Sequence, residues 1–327
     1  MPEIIALGEP MVEFAAAERG PLRRVTTFHR GFGGDTSNFI VAAARLGASC
    51  GYVTRLGDDE FGRAFLDLWA AEGVDASRVV VEPGGFTAVY FISLDEAGRH
   101  SFTYYRAGSA ASRLAPSDIA ADYLATARAV HTSGITQAIS PSAATAAAAA
   151  MTAARARGVL VSYDANIRPR LLGLDRLRGL CDAALRLADV VFLSTEDAGY
   201  LYGASSPEDV VERVLACGPR LAVLKQGPEG CLVAAADGRR LRVPGWRVEP
   251  VDATGAGDAF DAAFLVEWLG GAPLAEAARL ANAVGAMTTL GRGAVGPIPR
   301  RDAVEAFMAA GAAAPAVQAT LEGRDVR

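Results

Sequence analysis

The sequence predicts an α/β protein with a mostly parallel central sheet that helices cover on both faces. From about residue 129 onward, short apolar runs alternate with helical segments, and this rhythm is typical of parallel sheets. The run Val190–Ser194 shows no polar alternation, which indicates a strand buried on both faces. With 327 residues, the chain is long enough to bury such a core.

The elements follow one another from the N-terminus. The first strand is expected at Ile4–Leu7, an apolar run that ends at Gly8. A helix over Thr36–Leu46 stops at Gly47, and a strand follows at Cys50–Thr54. Further helices are expected at Asp59–Ala71, Pro141–Arg157, Leu174–Leu187, Pro207–Cys217, Gly255–Leu269 and Pro273–Thr289, and further strands at Ala129–Thr132, Val159–Asp164, Val190–Ser194 and Leu221–Lys225.

Two segments interrupt this rhythm and predict a small β-structure beside the sheet. Thr87–Leu94 and His100–Tyr105 alternate apolar and polar side chains around the turn sequence Asp95–Gly98, which is a hairpin signal. The segment around Arg23–Phe32 is expected to join this structure.

Composition disfavours several classes of protein. The formal net charge of −5 and the pI near 5.4 argue against broad binding of nucleic acids or anionic membranes. The N-terminus shows no signal peptide, so a cytoplasmic location is expected. The four scattered cysteines indicate free thiols, and the three histidines lie too far apart in sequence to favour a zinc site or a Ser-His triad.

The strongest chemical signal is the segment DATGAGDAF at residues 252–260. The small residues Gly255, Ala256 and Gly257 let the backbone approach a ligand closely, and a helix begins immediately afterwards. Its free N–H groups and positive dipole end would form an anion hole suited to a phosphoryl group. Asp258, in the first turn, is placed to accept a proton from an attacking hydroxyl. The plainer alternative is a glycine turn with Asp258 as an N-terminal helix carboxylate.

Two common phosphate-binding patterns are missing from the sequence. No G-x-x-x-x-G-K-[ST] pattern occurs, because Lys225 does not follow a glycine. Gly8-Glu9-Pro10 follows the first strand, where a dinucleotide-binding protein would carry G-x-G-x-x-G. A P-loop enzyme and an NAD-binding oxidoreductase are therefore disfavoured.

Lys225 is the only lysine among 32 basic residues, the other 31 being arginine. A surviving lysine hints at a position that needs a compact ammonium rather than a planar guanidinium. The alternative is that one lysine remained by chance.

Several motifs, kept in order along the chain, resemble those of the ribokinase-like (PfkB) carbohydrate kinases. They are GGDTSN at 33–38 with AAARLG at 42–47, GDDEFG at 57–62, and the DATGAGDAF segment at 252–260. The resemblance spans nearly the whole chain. It implies a ribokinase-like three-layer α/β/α sandwich with a small β-lid and the substrate between lid and body.

The resemblance also implies domain bounds and chemistry. One kinase domain is expected over 1–315, with the lid over about 10–34 and 86–108 and a tail over 316–327. Asp258 would be the catalytic base for phosphoryl transfer from ATP to a sugar hydroxyl, with Gly255, Ala256 and Gly257 in the anion hole. ATP binding is implied for Asn166, Arg168, Ser194, Lys225, Gln226, Gly227, Gly230, Gly255, Ala256, Gly257 and Asn282. In plainer alternatives Asn166 is a turn residue and Asn282 a helix-surface amide.

Within the family, four stretches resemble 2-keto-3-deoxygluconate kinases most: 8–14, 104–110, 133–136 and 164–169. This implies a sugar acid as substrate, and arginine suits its carboxylate because its fork can donate two parallel hydrogen bonds. The implied substrate-binding residues are Gly34, Asp35, Asn38, Tyr90, Tyr104, Tyr105, Arg106, Arg168 and Asp258.

Alternatives remain for these assignments. Arg106 could be a strand-edge charge, Arg168 could contact only ATP phosphates, and the tyrosines could be lid core. Fructose or ribose is the alternative acceptor, and a non-catalytic sugar sensor is the alternative of another class. Mg²⁺ is expected with ATP. The family site that helps to organise the metal, Asn-x-x-Glu, corresponds to Ser194–Asp197 in this chain, where Asp197 or Glu196 could act through water, and no residue is assigned to the metal. K⁺ near Asp252 and a dimer formed through the lids are expected by analogy.

Overall fold

The computed structural model describes residues 1–94, 100–311 and 318–319 of the chain. The strands of the described residues, in chain order, are β1 (Ile4–Leu7), β2 (Met11–Arg19), β3 (Phe28–Gly33), β4 (Cys50–Gly57), β5 (Val74–Glu82), β6 (Val89–Leu94), β7 (His100–Tyr105), β8 (Ala129–Ser133), β9 (Leu160–Asp164), β10 (Val190–Ser194), β11 (Leu221–Lys225), β12 (Cys231–Ala235), β13 (Arg240–Val243) and β14 (Gln318–Ala319).

The central sheet has the order β14-β13-β12-β11-β10-β9-β8-β1-β4-β5. Every neighbouring pair from β11 to β5 is parallel, while β12, β13 and β14 add an antiparallel edge. The predicted mostly parallel sheet is therefore confirmed. Its inner strands read as continuous apolar runs because apolar side chains pack on both of their faces.

Helices cover both faces and complete three layers. They are α1 (Asp35–Arg45), α2 (Glu60–Ala71), α3 (Ala121–Leu124), α4 (Gly134–Ala138), α5 (Pro141–Ala156), α6 (Leu174–Leu185), α7 (Thr195–Tyr202), α8 (Pro207–Ala216), α9 (Ala256–Leu269), α10 (Leu274–Thr288) and α11 (Arg301–Ala310). One core holds the buried faces of α1, α2, α9, α10 and α11. The other core holds those of α3 to α8.

A second sheet, which we call the lid, has the order β3-β2-β6-β7. Strands β6 and β7 pair antiparallel, with Val89 opposite Tyr105 and Leu94 opposite His100, which confirms the predicted hairpin. Its turn, Asp95–Gly98, lies outside the described residues. Strand β3 comes from the segment around Arg23–Phe32 that was expected to join the hairpin, whereas β2 precedes that segment and pairs with β3.

Some elements differ from the sequence analysis. Strands β5, β12 and β13 and helices α7 and α11 were not predicted. The domain bounds of 1–315 stay a prediction, and of the predicted tail only residues 318–319 are described, paired with β13. In the described ranges no helix is long and apolar enough to cross a bilayer, and the cytoplasmic location stays a prediction.

Candidate active site

Polar side chains gather where the parallel strands end and α9 begins. Asp164 ends β9, Ser194 ends β10 and Lys225 ends β11. Parallel strands present their carboxyl ends at one edge of the sheet, which is where open α/β sheets bind ligands. The Lys225 ammonium lies 2.8 Å from Asp261 of α9, so the helix start and the strand ends meet at one place.

The start of α9 has the features of the predicted anion hole. Gly255 has a φ of 79°, in the left-handed region that favours glycine, and an added Cβ would lie 2.9 Å from the Ala294 carbonyl oxygen. The Ala256 N–H already donates to a carbonyl of the preceding turn at 3.3 Å. The N–H groups of Gly257 and Asp258 have no backbone acceptor in the described part of the chain. These two amides are therefore the best placed to bind an anion.

Asp258 is the carboxyl group beside this anion hole. Asn38 Nδ2 of α1 donates to Asp258 Oδ2 over 2.8 Å. Burial raises the pKa of Asp258 to about 8; Asp35 and Asp164 act in the same direction, whereas Asn38 and Lys225 oppose them. A carboxyl group with a pKa near neutrality is well matched to accepting a proton from a hydroxyl.

Helix α1 supplies further polar groups next to Asp258. Asp35 and Asn38 are both buried. Asp35 Oδ1 and Asn38 Oδ1 have no hydrogen-bond partner among the described residues. Gly34 begins this segment at φ 97°, and an added Cβ would lie 2.2 Å from the Glu9 carbonyl oxygen, so only glycine fits. Two buried acceptors without donors match the hydroxyl groups of a sugar.

Asn166, just after β9, belongs with α1 rather than with an isolated turn. It is the one non-glycine residue with positive φ, 36°, in the described ranges. Its side chain is buried, and Nδ2 donates to Asp35 Oδ2 over 3.2 Å. The plain turn alternative therefore does not account for this residue, while its contact with a nucleotide stays a prediction.

The three lid tyrosines do not share one face. Tyr90 is buried and its ring stacks on that of Tyr104, with 5.8 Å between centroids. Tyr105 is 60% exposed and packs edge-on against Phe91 at 5.9 Å. Successive residues of a strand point to opposite faces, so Tyr105 lies on the face away from Tyr90 and Tyr104. Tyr105 does not share a face with the other two, and its role in substrate binding stays a prediction.

The two candidate arginines lie in different surroundings. Arg106 is buried and forms an ion pair with the fully buried Glu9, which also accepts from Ser109 Oγ at 3.1 Å. The alternative of a strand-edge charge for Arg106 is therefore wrong. The Arg168 side chain is 47% exposed, and its nearest carboxylate, Asp197, is 3.8 Å away. Arg168 is thus the more available cation.

Comparison with known proteins decides the family. The family model described as pfkB family carbohydrate kinase matches residues 1–301. The chain belongs to this family. The predicted family membership and the prediction of an ATP-dependent carbohydrate kinase are thereby confirmed.

Relatives of this pfkB kinase differ in their substrates. The 2-dehydro-3-deoxygluconokinase of Thermoproteus tenax is 37% identical over 298 residues, covering 90% of each chain. Probable fructokinase-7 of Arabidopsis thaliana is 32% identical over 314 residues, covering 92% of this chain and 91% of the relative. A putative ribokinase II from Escherichia coli, solved with ATP and Mg²⁺, matches with a TM-score of 0.88 at 28% identity, covering 95% of this chain and 100% of that one. The ribokinase-like fold is confirmed.

The predicted nucleotide segment of the pfkB kinase lies beside the anion hole. An added Cβ on Gly257 would lie 3.4 Å from Lys225 Nζ, so the ammonium is next to this backbone. The Gln226 N–H donates to the Gly230 carbonyl over 2.8 Å. An added Cβ on Gly230 would lie 2.1 Å from a β13 carbonyl, whereas Gly227, at φ 58°, borders open space. Backbone packing therefore accounts for Gly230, and Gly227 remains accessible.

Two further nucleotide candidates are held by the protein itself. The Ser194 hydroxyl accepts the Asp197 N–H and donates to the Asp197 carboxylate at 2.6 Å, in a capping box that begins α7. Asn282 is buried, and its Nδ2 donates to the carbonyls of Val243 and Pro244 at 3.1 and 3.2 Å. The helix-surface alternative for Asn282 is wrong, and its contact with ATP stays a prediction.

No residue was assigned to a metal ion from the sequence, and the two acidic residues of Ser194–Asp197 both accept hydrogen bonds from the protein. Asp197 accepts the N–H groups of Ile167 and Ser194 at 2.6 and 2.8 Å, and Glu196 accepts from Tyr200 at the surface. No group of three or more metal-binding side chains occurs in the described ranges. Mg²⁺ commonly keeps several waters and binds substrate phosphates. The residues present fit an ion that the phosphates of ATP mainly hold.

Four buried acidic residues near the site were missed. Glu9 pairs with Arg106, Glu13 accepts the Tyr90 hydroxyl, and both Asp164 and Asp261 accept from Lys225. Glu9 and Glu13 lie in the stretch 8–14 that carries part of the resemblance, but their contacts had no local signal because their partners lie far away in sequence. The three-residue spacing from Asp258 to Asp261 puts both on one helix face and could have been noticed.

Proposed function

We propose that this carbohydrate kinase transfers the γ-phosphoryl group of ATP to the terminal hydroxyl of 2-dehydro-3-deoxygluconate, giving the 6-phosphate. The observation that supports the chemistry best is Asp258 at the mouth of α9, bonded by Asn38 and next to two unpaired buried acceptors. A substrate hydroxyl that donates to these acceptors would lie close to the base.

In this proposal the residues at the start of α9 have separate roles in phosphoryl transfer. Asp258 accepts the hydroxyl proton as the oxygen attacks the γ-phosphorus and the bond to ADP breaks. The N–H groups of Gly257 and Asp258 stabilise the charge on the transferring phosphoryl group. Mg²⁺, when bound with ATP, supplies further neutralisation of the phosphates. An assay of ATP consumption with a panel of sugars and sugar acids tests this, since a non-catalytic sensor would consume none.

Arg168 supports the choice of a sugar acid. It is the exposed arginine of the candidate pair, and its charge, with those of Arg106 and Arg170, acts on Tyr104 of the lid. Burial raises the pKa of Tyr104, and the charges of these three arginines oppose that shift. Arg106 lies 5.6 Å from the centroid of the Tyr104 ring. A carboxylate bound there would gain charge-assisted hydrogen bonds.

The acceptor is tested by comparing kcat/KM for 2-dehydro-3-deoxygluconate and fructose. Arg168→Ala should lower the value for the acid roughly 10- to 100-fold, the scale of a charged hydrogen bond, and leave the value for fructose within about threefold. Arg176→Ala on α6, another exposed arginine, is the matched control. Equal losses for both acceptors in Arg168→Ala would contradict the sugar-acid assignment.

Fructose is the second candidate acceptor. The Glu9–Arg106 ion pair favours a neutral sugar, because Glu9 neutralises the charge of Arg106 and leaves one cation fewer for a substrate carboxylate. If wild-type kcat/KM for fructose exceeds that for the acid, the neutral sugar is the substrate.

We also propose that K⁺ binds near Asp252. Asp252 accepts from the Thr254 N–H and hydroxyl and from the Gly293 N–H, and so ties together the two loops that flank Gly255. Rates in K⁺ that exceed those in Na⁺ at equal ionic strength would support this, and equal rates would contradict it.

We further propose a dimer formed through the lids. The outer strands of the lid, β3 and β7, each pair on one side only in the described ranges, and Tyr105 is exposed on the outer face. Light scattering should give the mass of two chains, and Tyr105→Arg should lower it to one.

A further inference from the structure

Lys225 is held between two carboxyl groups at the base of the site. Its ammonium donates to Asp164 Oδ2 over 3.1 Å and to Asp261 Oδ2 over 2.8 Å. The lysine side chain is 13% exposed, and those of Asp164 and Asp261 are 5% and 1% exposed. Removing a charge from water is costly unless it is paired, so this ammonium depends on both partners.

The two carboxyl groups also interact with each other. Oδ1 of Asp164 and Oδ1 of Asp261 have no hydrogen-bond donor in the described part of the chain, and the groups lie within hydrogen-bonding reach of each other. Burial raises the pKa of Asp261. Burial also opposes ionisation of Asp164, but the charge of Lys225, together with hydrogen bonds from Asp261 and Lys225, lowers the pKa of Asp164 overall. These directions favour Asp164 as the counter-ion of Lys225 and make Asp261 the more readily protonated of the two carboxyl groups.

The position of the ammonium links this group to phosphoryl transfer. Of its three N–H donors, two go to the carboxyl groups, and Nζ lies against the backbone of Gly257 in the anion hole. Its charge also favours the ionised form of Asp258. Neutral His131 of β8, whose pKa burial lowers to about 3, adds no charge beside it.

The other groups that act on Asp258 come from two elements. Asp35 of α1 and Asp164 of β9 oppose its ionisation, and Asn38 of α1 favours it. Lys225 is the one cation in this set. Loss of its position would leave two carboxyl groups opposed by a single amide.

We propose that Asp261 is a positioning residue for phosphoryl transfer: with Asp164 it holds the Lys225 ammonium against the Gly257 backbone and next to Asp258. The inference rests on the proposed function and deepens it. A compact ammonium can bridge two carboxyl groups from one nitrogen atom, which a planar guanidinium cannot do in the same space. This accounts for the single lysine in a chain with 31 arginines.

Asp261 variants test the inference through the pH profile. Asp261→Ala removes one acceptor of Lys225, so the acid limb of kcat/KM should move up by about one pH unit, with a roughly tenfold loss at pH 7. Asp261→Asn should restore the wild-type limb, because its oxygen can accept from Lys225 and its NH₂ can donate to Asp164. Phe264→Leu, buried on the same helix, is the control that changes packing and not charge. An unmoved limb in Asp261→Ala, or an equal shift in Asp261→Asn, overturns the proposal.

A second measurement does not depend on activity. Trinitrobenzenesulfonate reacts with amines, and peptide mass spectrometry separates Lys225 from the Met1 amine. Lys225 should react at least about tenfold faster in Asp261→Ala than in wild type or Phe264→Leu, because its charge is less stabilised; equal rates overturn the proposal. If Asp261→Ala does not fold, Asp261→Leu takes its place.

MgATP separates failure of this inference from failure of the proposed function. Protection of wild-type Lys225 by MgATP is expected if the nucleotide binds at the anion hole. If MgATP does not slow the labelling of wild-type Lys225, the proposed nucleotide site is contradicted. If Lys225 still reacts faster in Asp261→Ala than in wild type in that case, the anchoring role of Asp261 stands.

Discussion

Removing the Asn38 side chain should move the acid limb of the kinase rate to higher pH. Only ionised Asp258 accepts the substrate proton, and its pKa is about 8. Measured with both substrates far below saturation, kcat/KM should therefore fall about tenfold per pH unit below pH 8, to about a tenth of its plateau at pH 7. The Asn38 amide donates to Asp258 over 2.8 Å and stabilises the charged form.

The size of the shift follows from that hydrogen bond. A hydrogen bond to a charged group contributes about 1.5–3 kcal/mol, and about 1.4 kcal/mol corresponds to one pH unit. Asn38→Ala should therefore move the limb up by about 1–2 units and lower kcat/KM at pH 7 by roughly 10- to 100-fold. The loss should shrink at alkaline pH, where Asp258 ionises without the amide.

The measurement is a pH profile of kcat/KM from pH 6 to about 10.5. Loss of a substrate contact at Asn38 Oδ1 would lower the plateau at all pH values and is thereby separated from a shift of the limb. Ser37→Ala is the matched control, since Ser37 is the neighbouring α1 residue and bonds to Trp69. A limb that stays at the wild-type pH in Asn38→Ala would refute the assignment of Asp258 as the titrating base.

Three other substitutions give distinct outcomes. Asp258→Asn should lower kcat at least ~10²-fold. It should also raise the free energy of unfolding at pH 7 by at most about 4 kcal/mol, measured by denaturant unfolding. In the wild type Asp258 ionises at its ordinary pKa of 3.8 in the unfolded chain but only at about 8 in the folded protein, because burial disfavours its charge, so stability is lost as the pH rises between these values. The gain of the variant should therefore vanish below pH 3.8. Gly34→Ala should abolish activity or folding, since its Cβ would lie 2.2 Å from a carbonyl oxygen, and an active, stable variant would contradict the backbone geometry. Glu9→Gln should cost about 3–5 kcal/mol in thermal unfolding by leaving Arg106 uncompensated, and Glu9→Gln with Arg106→Met should recover part of the loss.

Buried parallel strands were the elements whose bounds the sequence predicted most accurately. Val190–Ser194 and Leu221–Lys225 were predicted with their observed bounds, because a strand covered on both faces must be apolar throughout. Strand β13 of the antiparallel edge was missed, because Arg240–Val243 is short and mixes charged with apolar residues. Helix α7 was missed although Ser194 and Asp197 form a capping box that was visible in the sequence.

The arrangement of the candidate residues at the start of α9 was predictable, because these residues are contiguous in sequence. Gly255, Gly257 and Asp258 follow one another at a helix start, and local geometry sets their arrangement. The charge partners were not predictable, because Arg106 and Glu9 lie 97 residues apart and meet only through the fold. Successive residues of β7 point to opposite faces of the lid, so only one of Tyr104 and Tyr105 can share a face with Tyr90. Which of the two does so could be predicted only from the register of β6 and β7, which the sequence did not give.

The balance of charges around Asp258 explains how a site for the phosphates of ATP can contain a single ammonium group in an arginine-rich chain. Asp35, Asp164 and Asp258 lie together, and Lys225 is already committed to Asp164. Any further cation beside Asp258 would hold it ionised but lower its pKa and so weaken it as a base. Backbone N–H groups of α9 can attract phosphate without adding a full charge, so the proposed anion hole and the proposed base can occupy adjacent residues without opposing each other.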